Sequence, residues 1–391
     1  MDIYEHVSDE IDEALAFRNA IFGYISLDQW QAMGCTAVTA REDGQLVGFI
    51  PLQFREQRLR PGVTIPVVYE NAVGVAEGMR GRGVGSQMID AAAGLIQDRV
   101  DALMVIRSDE RSRGYRFYRQ TGHSDVSYMR SWMLLPEDAR PSSGTDAIAI
   151  VDRAQWVALE AQLLALYERR YGRFGGARQR CPGYWAMVFD GHVYRARRWV
   201  LAVERDGAGR VSGYMVAAYG RWQDSRDVSV YEVVGQDDAV VERLLRYASQ
   251  LGASGAVDVP DISLANPVQK LLRRLGFRAH DTSPHIMARV LRPDRIFGRL
   301  AAGSGLRDSL SLAVHTPHRS LAVNEPLNPK YSVLLETKES LLARLFLCRL
   351  DLEAAVEMEM VRWNVRDSGL ARELYRVFAF ADWVQWYTDY V

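Results

Sequence analysis

No charge of one sign prevails in this sequence. Lys and Arg total 48 against 49 Asp and Glu, a formal net charge of −1 at pH 7, so no overall field gathers nucleic acid or an anionic membrane onto it. No uncharged run approaches the ~18 residues that a membrane-spanning helix needs. The opening Met1-Asp2-Ile3-Tyr4-Glu5-His6 lacks the basic stretch and apolar core of a secretory signal, which makes cytoplasm the expected compartment. Cysteine is scarce and scattered: Cys35, Cys181 and Cys348 give neither an even disulfide set nor metal-ligand spacing. His315 and His318 are close but separated by Thr316-Pro317 and have no third ligand nearby, so no metal is expected. The arginine clusters Arg169-Arg170 with Arg173, and Arg195 with Arg197-Arg198, read as solvated surface.

What is present is a globular composition, 48% hydrophobic and 25% charged, over 391 residues, too long for one ordinary core. Two joints stand out. Leu135-Pro136 to Ser143-Gly144 is polar and rich in proline, serine and glycine. A second break at Leu291-Arg292-Pro293-Asp294 is followed by Ala301-Ala302-Gly303-Ser304-Gly305. They predict domains at 1–140, 145–292 and 293–391, each of ordinary size.

The first block alternates helix and strand. Helices are predicted over Ile11 to Phe22, Gly85 to Asp98 and Gly114 to Gln120. Strands are predicted over Gln45 to Phe54, Tyr69 to Val75, Ala102 to Ile106 and Tyr128 to Leu134. The second block repeats the rhythm, with strands at Trp199 to Val203, Val211 to Tyr219 and Val228 to Val234, then a helix over Asp237 to Leu251. The third opens with strands at Leu310 to Val314, Ser320 to Val323 and Tyr331 to Glu336. Helices follow at Leu341 to Leu347, Leu352 to Glu359 and Gly369 to Phe378. The class is α/β (α+β).

The segment Arg80-Gly81-Arg82-Gly83-Val84-Gly85 carries the most chemistry. It joins an apolar strand to an amphipathic helix, where backbone N–H groups and the helix dipole meet an anion. Its glycines let the backbone come close to a pyrophosphate, and Arg80 and Arg82 add cationic donors. No Gly-Lys-Ser/Thr follows, so it is not a Walker loop, and its glycine spacing does not fit the dinucleotide fingerprint.

With Arg80, Gly83 and Gly85 in place, the segment resembles the pyrophosphate loop of the GNAT acetyltransferase superfamily: Arg or Gln, two residues, Gly, one residue, Gly or Ala. Tyr115-Arg116-Phe117-Tyr118-Arg119-Gln120-Thr121-Gly122-His123 resembles the superfamily's Phe-Tyr-x-x-x-Gly-Phe segment, with His123 departing from the usual aromatic. A phenol of pKa ~10 can protonate a departing thiolate whose thiol has pKa ~8.5, and Tyr118 holds the matching position; the plainer reading of Tyr118 is a packing tyrosine.

Over essentially its full length the chain resembles a narrower family, that of the mycobacterial enhanced-intracellular-survival acetyltransferase. That family joins two tandem GNAT-like mixed-sheet domains to a sterol-carrier-protein-like α+β domain. The resemblance rests further on Leu166-Tyr167-Glu168-Arg169-Arg170 and Tyr184-Trp185 in the second block. In the third it rests on Ala343-Arg344-Leu345-Phe346-Leu347 with Leu350-Asp351-Leu352-Glu353-Ala354-Ala355-Val356. It implies acetyl-CoA as acyl donor, held by Val73, Gly74 and Val75 at the thioester and by residues from Arg80 through Gly81, Arg82, Gly83, Val84 and Gly85 to Ser86 at the pyrophosphate. It implies Tyr118 as general acid and the C-terminal carboxylate of Val391 as base, reaching into the first domain. The aromatic tail from Asp382 to Val391 suits burial, whether for catalysis or packing. The second block ends its strand in Gly235-Gln236-Asp237-Asp238, acids where a pyrophosphate would sit, so no coenzyme A is expected there.

The expected activity is transfer of acetyl to a primary amine by direct attack, the acceptor being a small molecule such as an aminoglycoside or polyamine, or a lysine side chain. A homo-oligomer is implied by the resemblance, hexamers being common in that family, with no nucleic acid and no membrane insertion. A longer-chain acyltransferase and a non-enzymatic lipid-binding or scaffold protein are the alternatives.

Overall fold

The computed structural model describes residues 1–6, 11–22, 25–32, 34–70, 73–106, 110–139, 144–190, 198–219, 227–252 and 256–390. The chain falls into two compact units, Met1–Ser127 with Pro284–Asp382, and Tyr128–Ser283 with Trp383–Val391.

In the first unit, strands Asp2–His6, Cys35–Glu42, Gln45–Arg60, Val63–Glu70, Ala102–Ile106 and Ser283–Val290 lie side by side in that order. Only the pairing of Val63–Glu70 with Ala102–Ile106 is parallel. Residues 47–53 of the long strand are buried on both faces. Ile50 and Leu52 join the core beneath helix Val84–Ile96, while Phe49 joins Leu15, Ile25 and Trp30 in a second cluster. A Cβ on Gly48 would stand 2.2 Å from Met88 Sδ, so that glycine is what lets the helix lie close to the strand.

The C-terminal part of this unit is a small α+β region. Strands Ser320–Asn324, Leu310–His315, Tyr331–Thr337 and Val361–Trp363 form a sheet in that order, with helices Glu339–Phe346, Leu352–Glu357 and Ser368–Val377 alongside. Arg60 ties it to the larger sheet. Its Nη1 donates to the Arg376 and Val377 carbonyls at 2.9 and 3.0 Å, and Nη2 donates to the Leu300 carbonyl at 2.9 Å. One guanidinium thus caps the C-terminal ends of helices Ser368–Val377 and Pro293–Leu300, where carbonyls outrun the helical ladder.

The second unit pairs Tyr128 to Leu134, the latter part of strand Ser124–Leu134, with Val257–Ser263. Val228–Gly235, Val211–Tyr219, Trp199–Arg205 and Ile148–Val151 follow. Helix Asp238–Leu251 covers the sheet, burying Val240, Val241, Leu244 and Leu245. Trp156, Trp185 and Tyr214 meet edge to face at 5.2–5.9 Å, so the core is built on large rings in the geometry their quadrupoles favour.

The whole is a mixed α/β structure with a GNAT-like fold. Most predicted elements are present within a residue or two. The strand predicted over Tyr69 to Val75 is instead two pieces, Val63–Glu70 and Gly74–Val75.

Candidate active site

The break between those two pieces makes the site. Strand Gln45–Arg60 pairs Leu52 with Glu70, then Phe49 with Gly74 and Gly48 with Val75. Ala76 N–H continues along the same strand, donating to the Val47 carbonyl at 2.9 Å. Strand Ala102–Ile106 follows Val63–Glu70 only through Tyr69↔Met104, and its Val105 and Ile106 pair with Met287 and Ile286 instead. Among the described residues no ladder joins Gly74–Val75 to Val105–Ile106. The two strands are therefore unpaired with each other beyond Tyr69 and Met104, beside the backbone of Val73, Gly74 and Val75.

From Val75 the chain passes through a short 3₁₀ turn, Glu77–Met79, and enters helix Val84–Ile96. Gly81 and Gly83 have φ of +78° and +80°, which residues with a Cβ rarely adopt. Gly83 is the N-cap and offers no side chain to the helix end. The ladder starts at Gln87 N–H to the Gly83 carbonyl, 3.1 Å, so the N–H groups of Val84, Gly85 and Ser86 precede it. Arg80 and Arg82 are exposed; Arg80 Nε donates to the Val75 carbonyl at 3.1 Å, and Arg82 lies 3.5 Å from Glu42. An exposed helix end without a side-chain cap, entered through left-handed glycines and flanked by two arginines, fits an anionic phosphate group. Gly85 serves differently: a Cβ there would lie 3.0 Å from Phe117 Cε2, so its constraint is packing against the next helix.

That helix, Arg113–Gln120, starts from Ser112, whose Oγ accepts the Tyr115 N–H at 3.0 Å. Tyr118 turns fully inward, with ring neighbours Phe117 and His123 each at 5.1 Å. Its backbone carbonyl accepts from Thr121 Oγ1 at 3.1 Å and from His123 N–H at 3.0 Å, which locks the turn that carries the ring. Tyr115 donates to Asp125 Oδ2 at 2.7 Å; burial first, then that bond, pushes its phenol well above the usual range.

His123 and Glu70 form a buried pair that the sequence pattern does not single out. Glu70 ends the strand just before the break, and its Oε2 lies 3.8 Å from His123 Nε2, with Thr121 Oγ1 3.2 Å from Nδ1. Burial, then the charge of Arg289, lowers the His123 pKa to about 3, so the imidazole is neutral near pH 7. An acid closing the run Val67-Val68-Tyr69-Glu70 is the available signal, since a carboxylate in an apolar strand needs a reason to be there.

Residues 4–123 match the acetyltransferase (GNAT) family. The chemistry of that family is acyl transfer from coenzyme A to an amine. Comparison with curated protein sequences gives no match. Among solved structures, the chain is similar to a probable N-acyltransferase from Enterococcus faecalis, at 14% identity over 98% of both chains and a TM-score of 0.74. It is similar to a GCN5-related N-acetyltransferase from Kribbella flavida, at 18% identity over 97% of this chain and 98% of that one, TM-score 0.67. Eis1 from Mycobacterium abscessus shares 16% identity over 98% of both chains, TM-score 0.66. At these identities the likeness is one of fold, and it runs from end to end.

Among its described residues the second unit shows no equivalent of the glycine loop at residues 80–85. Helix Asp238–Leu251 is capped by Asp237, whose side chain accepts the Val240 N–H at 2.9 Å, and Asp238 is paired with Arg170. The tail predicted to be buried is buried at Trp383, Val384, Gln385, Trp386, Thr388 and Asp389. Val391 lies outside the described residues. His315 is exposed, as is His318. No helix among the described residues is long and apolar enough to cross a membrane.

Proposed function

We propose that the chain is an N-acetyltransferase that moves acetyl from acetyl-CoA to a primary amine by direct attack. The end of strand pairing beside Gly74–Val75, next to an uncapped helix end at Gly83–Ser86, is the observation that carries this reading. A pantetheine arm fits between unpaired strands, while the pyrophosphate meets the N–H groups of residues 81–86. Backbone N–H groups near Val73 to Val75 hold the thioester oxygen as negative charge develops on it.

In this reading the amine nitrogen bonds to the acetyl carbon as the carbon–sulfur bond breaks. Tyr118 supplies its phenolic proton to the leaving thiolate, a transfer favoured by the ordinary pKa order of thiol and phenol. The proton released by the amine passes to the terminal carboxylate of Val391, directly or through water. A carboxylate of pKa ~3.5 is a weak base for an ammonium of ~10.4, so its larger contribution is to orient the amine. The acceptors that suit are aminoglycosides, polyamines and lysine side chains, with a cytoplasmic homo-oligomer as the working form. In this reading the domains by sequence are 1–140, 145–292 and 293–391, the last resembling a sterol-carrier protein.

Calorimetric titration with acetyl-CoA, palmitoyl-CoA and a free fatty acid tests this reading. One acetyl-CoA site per chain supports it. Preference for palmitoyl-CoA turns it into a longer-chain acyltransferase, and binding of the fatty acid alone makes the protein a lipid carrier. A screen of polyamines, aminoglycosides and lysine peptides then names the acceptor.

A further inference from the structure

A cleft of about 690 Å³ opens on the C-terminal part of the first unit, at the joint that the sequence places from Leu291 to Asp294. One wall is helix Pro293–Leu300. Its Ile296, Phe297 and Leu300 are buried, so Asp294, Arg295, Gly298 and Arg299 share the other face and line the cleft, with Ala302 one turn on. The remaining walls are Arg307, on the short helix Leu306–Ser309, and the end of strand Ser320–Asn324. Asn324 Nδ2 donates to the Arg307 and Leu310 carbonyls at 2.8 and 2.6 Å, which roots Arg307 against that strand. Gly298 is a poor helix former in mid-helix, yet a Cβ there would meet only Arg307 Nε, at 4.0 Å. No packing constraint calls for glycine at that position; what it provides is room in front of Arg307.

Three arginines face this space. Arg295 Nη1 donates to the Asp98 carbonyl at 2.8 Å. Arg299 Nη1 donates to the Thr64 carbonyl at 3.2 Å, and its Nε lies 3.5 Å from the buried Asp101. These contacts hold two of the guanidinium groups in place before any ligand arrives. Arg307 differs: its guanidinium has no hydrogen-bond or ion-pair partner among the described residues. Of the two carboxylates on the cleft, Asp294 is already held by Arg292 at 2.7 and 3.0 Å, and Glu325 is exposed. The apolar side chains are Ala302, Ala322 and Val323, too few and too small to sheathe an acyl chain or a sterol.

Small-molecule sites commonly occupy about 300–1,000 Å³, and this cleft has that size with a polar lining. An unpaired guanidinium beside two anchored ones offers forked donors and a surplus of positive charge, the complement of a doubly charged oxyanion. We propose that the cleft binds a small organic phosphate, with Arg307 gripping the phosphoryl oxygens, Arg299 and Arg295 adding positive charge, and Gly298 leaving the space that the ligand fills. The site uses no residue of the glycine loop at 80–85, so it stands whether or not the chain transfers acetyl.

The test titrates inorganic phosphate into the full chain at constant ionic strength, with melting temperature and phosphorus NMR line width as readouts. Wild type is compared with Gly83→Asp, in which the glycine loop no longer offers a competing anion site. Arg307→Ala and Gly298→Leu are then made on the Gly83→Asp chain. Saturable binding is expected in both parents. Arg307→Ala should weaken it by roughly 10-fold, the scale of one charged hydrogen-bonding partner. Gly298→Leu keeps all three arginines and fills the cleft, so it should weaken phosphate at least as much. Binding that survives Gly298→Leu belongs to diffuse surface charge, and binding lost in Gly83→Asp alone belongs to the glycine loop; either result overturns the proposal. So does acetate binding as tightly as phosphate, or palmitate binding that Gly298→Leu removes, which would make the cleft a lipid site. Melting curves without phosphate check the fold of each variant. Should Gly298→Leu fail to fold, Ala302→Leu fills the cleft from the exposed turn after the helix, with the same outcomes.

Discussion

His123 Nε2 lies 3.8 Å from Glu70 Oε2, and neither side chain exposes any surface. A histidine so placed gives up its charge. Its pKa falls from 6.5 to about 3, chiefly through burial, so folding favours the neutral ring. The stabilisation is complete above the unfolded value of 6.5 and drains away as pH falls toward 3. Across that window each unit of pH should cost up to ~1.4 kcal/mol for this residue. His123→Phe, which restores the aromatic usual in the superfamily, is expected to flatten the fall of melting temperature between pH 6.5 and 4. Parallel acid limbs for the two proteins would overturn this.

Asp101 carries the opposite sign. Burial raises its pKa from 3.8 to about 6, against the lowering pull of Arg299, Arg295 and Arg292 and with the help of Asp294. The Arg299 and Arg295 guanidinium groups lie 3.5 and 4.0 Å away. A carboxyl whose pKa rises on folding supports the fold at low pH and loses that support between about 4 and 6. Asp101→Asn should therefore raise stability at pH 8, by at most ~3 kcal/mol, and change it little at pH 4. Unfolding curves at the two pH values decide, and destabilisation at pH 8 would mean that the ion pairs outweigh the burial.

Gly83→Asp should remove acetyl-CoA binding while leaving the protein folded. The substitution puts a side chain at φ +80° and a negative charge at the helix end. Calorimetry beside a melting curve reads both parts, and wild-type affinity in the variant would sink the loop's assignment.

Tyr118→Phe keeps the ring among Phe117 and His123 and removes the hydroxyl. Acetyl-CoA affinity should hold, with kcat lower by ~10²–10⁴, the usual worth of one general acid. Unchanged turnover with chemistry rate-limiting returns Tyr118 to a packing role.

Much of this was legible beforehand because it is local. Helix Ile11–Phe22 and strand Ala102–Ile106 fall where periodicity places them, and Arg80 to Gly85 joins strand and helix in the expected register. The division into Val63–Glu70 and Gly74–Val75 was hidden because both pieces carry strand-forming residues, with only Glu70-Asn71 as a polar interruption between them. The burial of Arg180 against Glu232 and Asp389 was hidden by its type: an arginine in Ala177-Arg178-Gln179-Arg180 reads as solvent-facing, and only partners 52 and 209 residues away reveal otherwise. The pairing of Met287 with Val105 spans a separation that no window of sequence covers.

Arg60 and the helix ends it caps set a schedule for synthesis. The first unit is interrupted by residues 128–283, so a nascent chain holding only Met1–Ser127 lacks Ile286 to Val290, the neighbour of strand Ala102–Ile106. At ~5–20 residues per second the ribosome needs roughly 10–30 s to deliver that neighbour, and longer for the carbonyls of Arg376 and Val377. During that interval the growing chain shows an open strand edge, the kind of surface that pairs with other chains and that ribosome-associated chaperones cover. The second unit waits as well, because it takes in Trp383 to Asp389 from beyond the first unit's last segment. The two units are interleaved along the chain, so neither can close while only its first segment has been made.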